Sequence, residues 1–276
     1  MSDGGWSEGH GMGGGISFPR LTQAVKILLI INAAVAVLQL IWLMITGNGL
    51  SYWLGTSLDK FLENPLLGVL SLFTYQFVHS SERLGHLLMN GLMLYFFGTM
   101  VEQRVGAKAL TWIYLGTGFV GGVFWWLFSA VAGISYVPCV GASGAVYGIL
   151  AYAAFMAPMS MVIVILVPVR LWVLAALLGV YALYSMLVSL RLGTGGVADS
   201  AHVGGALAGT LIWWQRDWLR TLGYRLGNAS RERERKRERK RAKRLDELLK
   251  KIKEVGITGL TGSERRFLSR YSKDKR

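Results

Sequence analysis

The feature that most constrains the fold of this chain is a series of long, continuous apolar runs. They lie at about residues 24–46, 84–103, 109–131, 141–158, 170–190 and 200–216. A helix needs roughly 20 apolar residues to cross about 30 Å of hydrocarbon, so these runs are candidate membrane spans. Their apolar residues are continuous rather than alternating, which makes membrane-spanning strands implausible. The sequence therefore predicts an all-α membrane protein, a bundle of six transmembrane helices.

A long insert, residues 47–83, separates the first two runs. It is apolar, but polar residues, a glycine and a proline interrupt it at Asn48, Gly49, Asp59, Glu63, Asn64 and Pro65. This pattern predicts two short helices, Ser51–Glu63 and Pro65–His79, which lie in the membrane interface rather than crossing the bilayer.

Charge predicts the orientation. The chain combines 53% hydrophobic residues with a formal charge of +14, which is rare in a soluble domain. Basic residues beside the runs collect on one side: Arg20, Lys26, Arg104, Lys108, Arg170, Arg216, Arg220 and Arg225. The other side has only Lys60, Arg83 and Arg191. Because such residues favour the cytoplasmic side, we expect a multi-pass protein of the cell membrane with both termini cytoplasmic.

Composition also divides the chain along its length. Residues 1–19 are Gly-rich and polar, which predicts a disordered N-terminus without the features of a signal peptide. Residues 20–220 form the predicted membrane domain, 221–244 a basic linker and 245–276 a small cytoplasmic helical tail.

The basic run at 231–244 contains ten basic and three acidic residues. Such a run is most often a solvated helix or linker, and the alternative is contact with anionic lipid. We expect no nucleic-acid partner. After the run, Leu245, Leu248, Leu249 and Ile252 keep helical spacing up to Gly256. Thr261 and Glu264 then have the spacing of a capping box, which predicts a second helix and hence a helical hairpin.

Four polar side chains near the starts of the even-numbered spans are the candidate functional residues. Ser143 begins the fourth span, His202 the sixth, and His86 and Asn90 lie near the start of the second. Polar groups inside a bilayer are costly, so each is a functional candidate by default. Since these three spans run in the same direction, they bring the four side chains to one depth.

Glycine spacing indicates that the fourth and sixth spans approach closely. Gly144 and Gly148 form one pair of small residues four apart, and Gly205 and Gly209 form another. Close approach is what a serine–histidine pair requires, because the hydroxyl must come within about 2.6–3.2 Å of an imidazole nitrogen. His86 and Asn90 share a helix face and can both donate hydrogen bonds to an oxyanion.

The residues that other classes of protease use are missing from the predicted spans. There is no HExxH motif for a zinc site and no pair of aspartates within the spans for an aspartyl dyad. We expect no metal site and no other cofactor. Cys139 has no basic neighbour and is interpreted as a small loop hydrophobe. Asp199, three residues before His202, is interpreted as an exposed loop acid or helix cap rather than a third catalytic residue.

These motifs resemble those of the rhomboid family of intramembrane serine proteases over roughly residues 20–220. Gly141–Gly144 (Gly-Ala-Ser-Gly) is similar to the family's GxSG motif, Ala201–Gly205 to AHxxG, and His86–Asn90 to HxxxN. Tyr147 matches a tyrosine that packs on the catalytic imidazole. The segment around Glu102 and Arg104 resembles a structural hydrogen-bond network that closes the second span.

The resemblance implies a six-helix rhomboid-like fold in which Ser143 attacks the scissile carbonyl and His202 takes its proton. The oxyanion would be held by the Ser143 N–H, His86 and Asn90. The site would be packed by Tyr147, Gly141, Gly144 and Gly205. Substrates would be single-span membrane proteins, cleaved near the outer face. The first loop lacks the Trp-Arg pair of many members.

The rival interpretation is an inactive rhomboid-like protein that binds or escorts clients. A transporter is disfavoured because internal repeats are absent.

Overall fold

The computed structural model describes residues 19–80, 84–164, 167–192, 199–218, 221, 242–253, 256 and 260–273. It divides the chain into two compact units, Met1–Trp214 and Gln215–Arg276. The predictions for the N-terminal stretch and for most of the basic run therefore lie outside the described residues.

The first unit is mostly helical. Its helices are α1 (Gln23–Thr46), α2 (Ser51–Leu54), α3 (Leu58–Glu63), α4 (Pro65–Thr74), α5 (Leu84–Met93), α6 (Thr99–Val105), α7 (Ala107–Ala132), α8 (Ser143–Met156), α9 (Leu171–Leu192) and α10 (Asp199–Trp214). A 3-10 turn, Tyr75–Phe77, follows α4, and a π-helical segment, Leu94–Gly98, joins α5 to α6.

Helices occupy all six predicted runs, but they differ in length. Among the described helices, four are long and apolar enough to cross a membrane: α1, the continuous stretch Leu84–Val105, α7 and α9. Helices α8 and α10 have 14 and 16 residues. At 1.5 Å per residue they extend about 21 and 24 Å, less than the roughly 30 Å of a hydrocarbon core.

Helix α1 is fixed to the end of the second span by Glu102. The carboxylate of Glu102 accepts hydrogen bonds from the backbone N–H groups of Ala24 and Val25, both at 2.9 Å, and from the Thr22 hydroxyl at 2.6 Å. These N–H groups belong to the first turn of α1, where no helical carbonyl can accept from them. Glu102 therefore has the structural role expected of this segment.

Helix α8 is the centre of the first unit, packed between α7 and α10. Its residues Ala145, Val146, Ile149 and Ala153 are fully buried. A side chain on Gly205 or Gly209 of α10 would collide with the backbone of α8 at Gly144 or Gly148, respectively. The close approach predicted from the two glycine pairs is therefore confirmed.

The insert differs from its prediction at one point. Ser51–Glu63 is not a single helix but two, because Thr56 between them pairs with Cys139 through backbone hydrogen bonds of 3.0 and 2.7 Å. A helix cannot offer both of these groups to another segment. In Pro65–His79 the α-helix ends at Thr74, and the 3-10 turn continues the chain toward His79.

A two-stranded antiparallel sheet connects α8 to α9, where no strand was expected. Strand β1 (Met161–Val164) pairs with β2 (Val167–Arg170) in a register that places Met161 opposite Arg170. Both strands are rich in β-branched residues, which favour extended backbone. The run is too short to span a membrane and lies between two helices, so a hairpin satisfies its backbone groups.

In the second unit, described by itself, the structure includes a helical pair near the C-terminal end. Residues 242–253 form α11, which precedes Gly256 in the left-handed conformation, and Gly262–Lys273 form α12. The predicted capping box is confirmed, because Glu264 accepts from the Thr261 N–H at 2.7 Å and Thr261 accepts from the Glu264 N–H at 3.4 Å. Lys251 of α11 also donates to Glu264 and lowers the pKa of its carboxyl to about 2.

Candidate active site

Two residues 59 positions apart in the chain meet where α8 and α10 begin. The Oγ of Ser143, the first residue of α8, lies 2.7 Å from the Nε2 of His202, in the first turn of α10. The glycine contacts described above bring the two helices close enough for this pair to form. In its neutral form the imidazole can accept the Ser143 proton at Nε2, and this arrangement activates a hydroxyl as a nucleophile.

The ring of Tyr147 lies parallel to the imidazole of His202. The ring centroids are 4.3 Å apart and the planes differ by 3°. Tyr147 is one turn after Ser143 on α8, so the helix that supplies the hydroxyl also supplies the surface on which the imidazole rests. This contact restricts rotation of the imidazole and keeps Nε2 directed at Ser143.

Asp199, the first residue of α10, lies beside the Nδ1 edge of the imidazole; of its two predicted interpretations, the exposed loop acid is excluded and the position at a helix end agrees with the structure. Its side chain is only 2% exposed, and its Oδ1 is 3.2 Å from the Nδ1 of His202. Its Oδ2 accepts a short hydrogen bond from the Ser185 hydroxyl on α9. Sequence alone could not show this contact, because Ser185 belongs to another helix.

Gly141 allows the imidazole of His86 to lie close to the backbone beside Ser143. A methyl group built on Gly141 would lie 2.7 Å from the Cε1 of His86 and 3.7 Å from the Oγ of Ser143. Gly141 has φ +124°, a conformation that L side chains rarely adopt, and its N–H donates to the Tyr75 carbonyl at 3.0 Å. At this position a larger residue would collide with the His86 imidazole, which the glycine lets approach Ser143.

Asn90 is held one helical turn from His86, and its hydrogen-bond partner among the described residues is His79. The Nδ2 of Asn90 donates to the Nε2 of His79 at 3.3 Å. Gln39 on α1 fixes the backbone of His79 with two hydrogen bonds, 2.7 Å to the carbonyl and 2.9 Å from the N–H. The structure thus places His86 beside Ser143, while Asn90 faces His79.

His79 is a buried neutral base within this cluster. Burial, with a smaller contribution from the neighbouring His86, lowers the pKa of His79 from 6.5 to about 4. The rings of His79 and His86 meet edge to face, with centroids 5.4 Å apart. A neutral His79 can accept from Asn90, which leaves the second amide proton of Asn90 available to another acceptor.

Two contributors to this cluster, Gln39 and His79, were not assigned a role from the sequence, and the contacts of Asp199 were not predicted. Gln39 carried a usable signal, since it is a polar side chain within an apolar span and such residues are functional candidates. His79 ends an apolar insert, and Asp199 shares a helix face with His202 at a spacing of three residues. Neither feature reveals the partner, because Asn90 lies 11 residues after His79 and Ser185 lies 14 residues before Asp199.

Other chemistries find little support at this site. Cys139 is buried, and burial raises the pKa of its thiol well above the ordinary value, so it is a poor nucleophile. No cluster of three or more histidine, cysteine or acidic side chains suited to a metal ion occurs in the described part of the chain.

The second unit and most of the first match known families. The Rhomboid domain matches residues 67–216, and a family of unknown function, DUF6576, matches 231–274. RHOMBOID-like protein 12, mitochondrial, of Arabidopsis thaliana is 30% identical over 200 residues, which cover 67% of this chain and 56% of the relative. Rhomboid protein 1, mitochondrial, of Saccharomyces cerevisiae is 31% identical over 136 residues, 49% of this chain and 39% of the relative.

A third relative is the presenilin-associated rhomboid-like protein, mitochondrial, of Rattus norvegicus. It is 28% identical over 192 residues, which cover 64% of this chain and 50% of the relative. The chain thus spans about half the length of the curated relatives it matches.

These relatives correct the predicted location. All three are mitochondrial by name, which contradicts the assignment to the cell membrane. The distribution of basic residues could not have made this distinction, because it orients a chain across a membrane without identifying the membrane.

The Rhomboid match covers more than half of the chain in one continuous stretch that includes Ser143 and His202. By that match, this chain belongs to the rhomboid family.

Proposed function

We propose that this chain is an intramembrane serine endopeptidase that uses a Ser143–His202 dyad. The observation that carries the proposal is the 2.7 Å contact between the Ser143 hydroxyl and the His202 imidazole at the beginnings of two helices. A serine that served only for helix packing would have no need of an imidazole within hydrogen-bond distance. Membership of the rhomboid family supports the same activity.

The geometry fits the steps of acyl transfer. Ser143 Oγ attacks the carbonyl carbon of the scissile peptide bond while its proton passes to Nε2 of His202. The imidazolium then donates this proton to the nitrogen of the leaving amine as the C–N bond breaks. Water repeats the sequence against the acyl-enzyme, with His202 again as base, and releases the new carboxylate from Ser143.

Charge on the carbonyl oxygen would be stabilised in the space beside Gly141. Ser143 is the first residue of α8, so its N–H has no carbonyl to donate to within the helix. The imidazole of His86 borders the same space. Asn90, kept in place by His79, is the third proposed donor. Each donor of this kind typically contributes about 2.7–4 kcal/mol of transition-state stabilisation.

We propose six membrane crossings, formed by the four long spans together with α8 and α10. Because α8 and α10 are shorter than the hydrocarbon core, the Ser143–His202 pair at their first turns would lie below the membrane surface. Water must reach this depth for hydrolysis. The basic residues beside the spans orient the helices so that this opening faces away from them. The relatives favour a mitochondrial membrane.

The proposed substrates are single-span membrane proteins that enter the bundle from the lipid. A helical substrate must unwind to expose its carbonyl to Ser143, so cleavage is expected where helix-breaking residues occur, after a small residue. The insert 47–83 and the loop 191–200 are the proposed gating segments. The second unit is proposed to contact anionic lipid through its basic residues.

A fluorophosphonate probe tests this proposal, because it phosphonylates an activated serine hydroxyl. The wild-type protein in detergent should form a covalent adduct, and Ser143→Ala and His202→Ala should not. A client-binding protein without activity would remain unlabelled in all three forms. Labelling that persists in Ser143→Ala would show that another residue reacts and would refute the assignment.

A further inference from the structure

We infer that the β1–β2 hairpin is a lipid-contacting element, whose outward face rests in the headgroup region of the membrane at the basic side of the bundle. The register pairs Met161 with Arg170 and Ile163 with Pro168, so these four side chains lie on one face. Met161 and Ile163 are 58% and 59% exposed. Exposed apolar surface of this kind marks a contact with protein or membrane.

The opposite face of the hairpin is also apolar. It consists of Val162, Val164, Val167 and Val169, and Val162 packs against the main core of the first unit. An antiparallel sheet that is packed on one side and exposed to water on the other alternates apolar with polar residues. Here Arg170 is the one polar residue of both strands. The composition therefore indicates that the outward face does not lie in water.

Two backbone hydrogen bonds fix the hairpin at the beginning of α9. The Leu171 N–H donates to the Ser160 carbonyl at 2.8 Å. The Trp172 N–H donates to the Pro158 carbonyl at 3.3 Å. These N–H groups belong to the first turn of α9, which has no helical acceptor for them. Because α9 is long and apolar enough to cross a membrane, the hairpin is held where that crossing begins.

Residues on both sides of the hairpin have the character of a membrane interface. Met159, which precedes β1, is exposed, and so is Trp172, which follows β2. Tryptophan is enriched where a span meets the headgroups. Arg170 is exposed as well, and among the described residues it forms no ion pair. Its guanidinium is suited to a lipid phosphate, which it can bind with two parallel hydrogen bonds.

The strands themselves favour headgroups over two other surroundings. Proline in a sheet is restricted to positions where an N–H would point away from the partner strand, so Pro168 leaves the outer edge of β2 without a donor for a further strand. Open strand edges also do not occur in the hydrocarbon core, because their backbone groups need hydrogen-bond partners. Water and headgroups supply these partners, while Met161 and Ile163 reach the upper part of the acyl chains.

The test measures the depth of a fluorophore at position 163 of the full chain. Ile163→Cys is made in a Cys139→Ala background, labelled with an environment-sensitive dye and reconstituted in vesicles of phosphatidylcholine and phosphatidylglycerol. The quencher is a nitroxide group placed either at a shallow or at a deep position of the lipid acyl chains. The matched control is Val180→Cys, in the middle of α9 and 67% exposed.

We expect the shallow nitroxide to quench roughly half of the emission at position 163 and the deep nitroxide to quench less, since an interfacial group lies about 5–10 Å into the headgroup and acyl boundary. Position 180 should show the reverse order. Emission at position 163 that neither nitroxide quenches would overturn the inference. Quenching there that is equal or stronger with the deep nitroxide would also overturn it, because the hairpin would then lie in the hydrocarbon core.

Two further measurements keep the test decisive. Met161→Cys labels the same face, and its quenching decides in the same way if Ile163→Cys does not fold. The labelled chain is also prepared without residues 231–276. Quenching that appears only after this deletion would show that the second unit, rather than lipid, covers the face, and would overturn the inference.

The inference rests on the proposed crossing by α9 and is independent of catalysis. A fluorophore at position 180 that the deep nitroxide does not quench would refute that crossing and the placement of the hairpin with it. Shallow quenching at position 163 in a protein that does not react with fluorophosphonate would refute the protease assignment and support the hairpin contact.

Discussion

Gly205 of α10 packs against the carbonyl group of Gly144 on α8, with no room for a side chain between them. This contact lies next to the Ser143–His202 pair and sets the distance between the two helices that supply it. A methyl group at Gly205 would have to push the helices apart.

Gly205→Ala is therefore expected to destabilise the protein by about 1–3 kcal/mol or more and to reduce activity. The matched control is Gly179→Ala on α9, where nothing lies within 4 Å of the added carbon. There alanine should stabilise the helix by roughly 0.5–1 kcal/mol. Thermal unfolding in detergent measures both. Equal unfolding temperatures for the two variants would show that α8 and α10 are not in contact at this point.

Removing the ring of Tyr147 should lower kcat without unfolding the protein. A stacked aromatic pair contributes about 0.5–1.5 kcal/mol, so Tyr147→Ala should reduce kcat by roughly 2- to 13-fold. Tyr147→Phe keeps the ring and serves as the control. Steady-state cleavage assays measure both variants. If Phe were as harmful as Ala, the hydroxyl rather than the stacking would be the important feature.

His86→Ala and Asn90→Ala should each lower turnover without abolishing it. Each variant removes one proposed oxyanion donor and leaves the N–H of Ser143, so a loss of about 10²–10³-fold is the upper expectation. The larger loss is expected for His86, which borders the space beside Ser143. Measured kcat values check this order. Wild-type turnover in both variants would mean that these residues serve packing alone.

Deleting residues 231–276 should leave catalysis in neutral detergent nearly unchanged, because every proposed catalytic group precedes Gly209. In liposomes that contain anionic lipid, the deletion should change turnover, since it removes basic residues that each contribute about 1 kcal/mol of attraction to such a surface. Turnover of both forms in neutral detergent and in both kinds of liposome makes the comparison. A large loss already in neutral detergent would show that the second unit supports the active fold.

Sequence predicted the positions of the helices well because a membrane imposes a strong local pattern. The continuous apolar runs correspond to helices throughout the first unit, and the spacing of Thr261 and Glu264 predicted their mutual hydrogen bonds. Glycine spacing likewise predicted the contact of α8 with α10. In each of these cases the signal lies within a few residues of the chain.

Features that depend on distant residues were missed. The break between α2 and α3 results from pairing of Thr56 with Cys139, and Asp199 accepts a hydrogen bond from Ser185 in another helix. The hydrogen bonds that fix the backbone of His79 come from Gln39, 40 residues earlier. A single sequence contains these residues but not their proximity, so the polar contacts around the site emerge only from the three-dimensional structure.

Cleavage of a model transmembrane substrate in liposomes tests the central claim most directly, with wild type, Ser143→Ala, His202→Ala and the double variant compared side by side. Because Ser143 and His202 act as a unit, each single variant should abolish cleavage and the double variant should be no worse than either. Unchanged unfolding temperatures would confirm that the variants are folded. Substantial cleavage by folded Ser143→Ala would contradict the account.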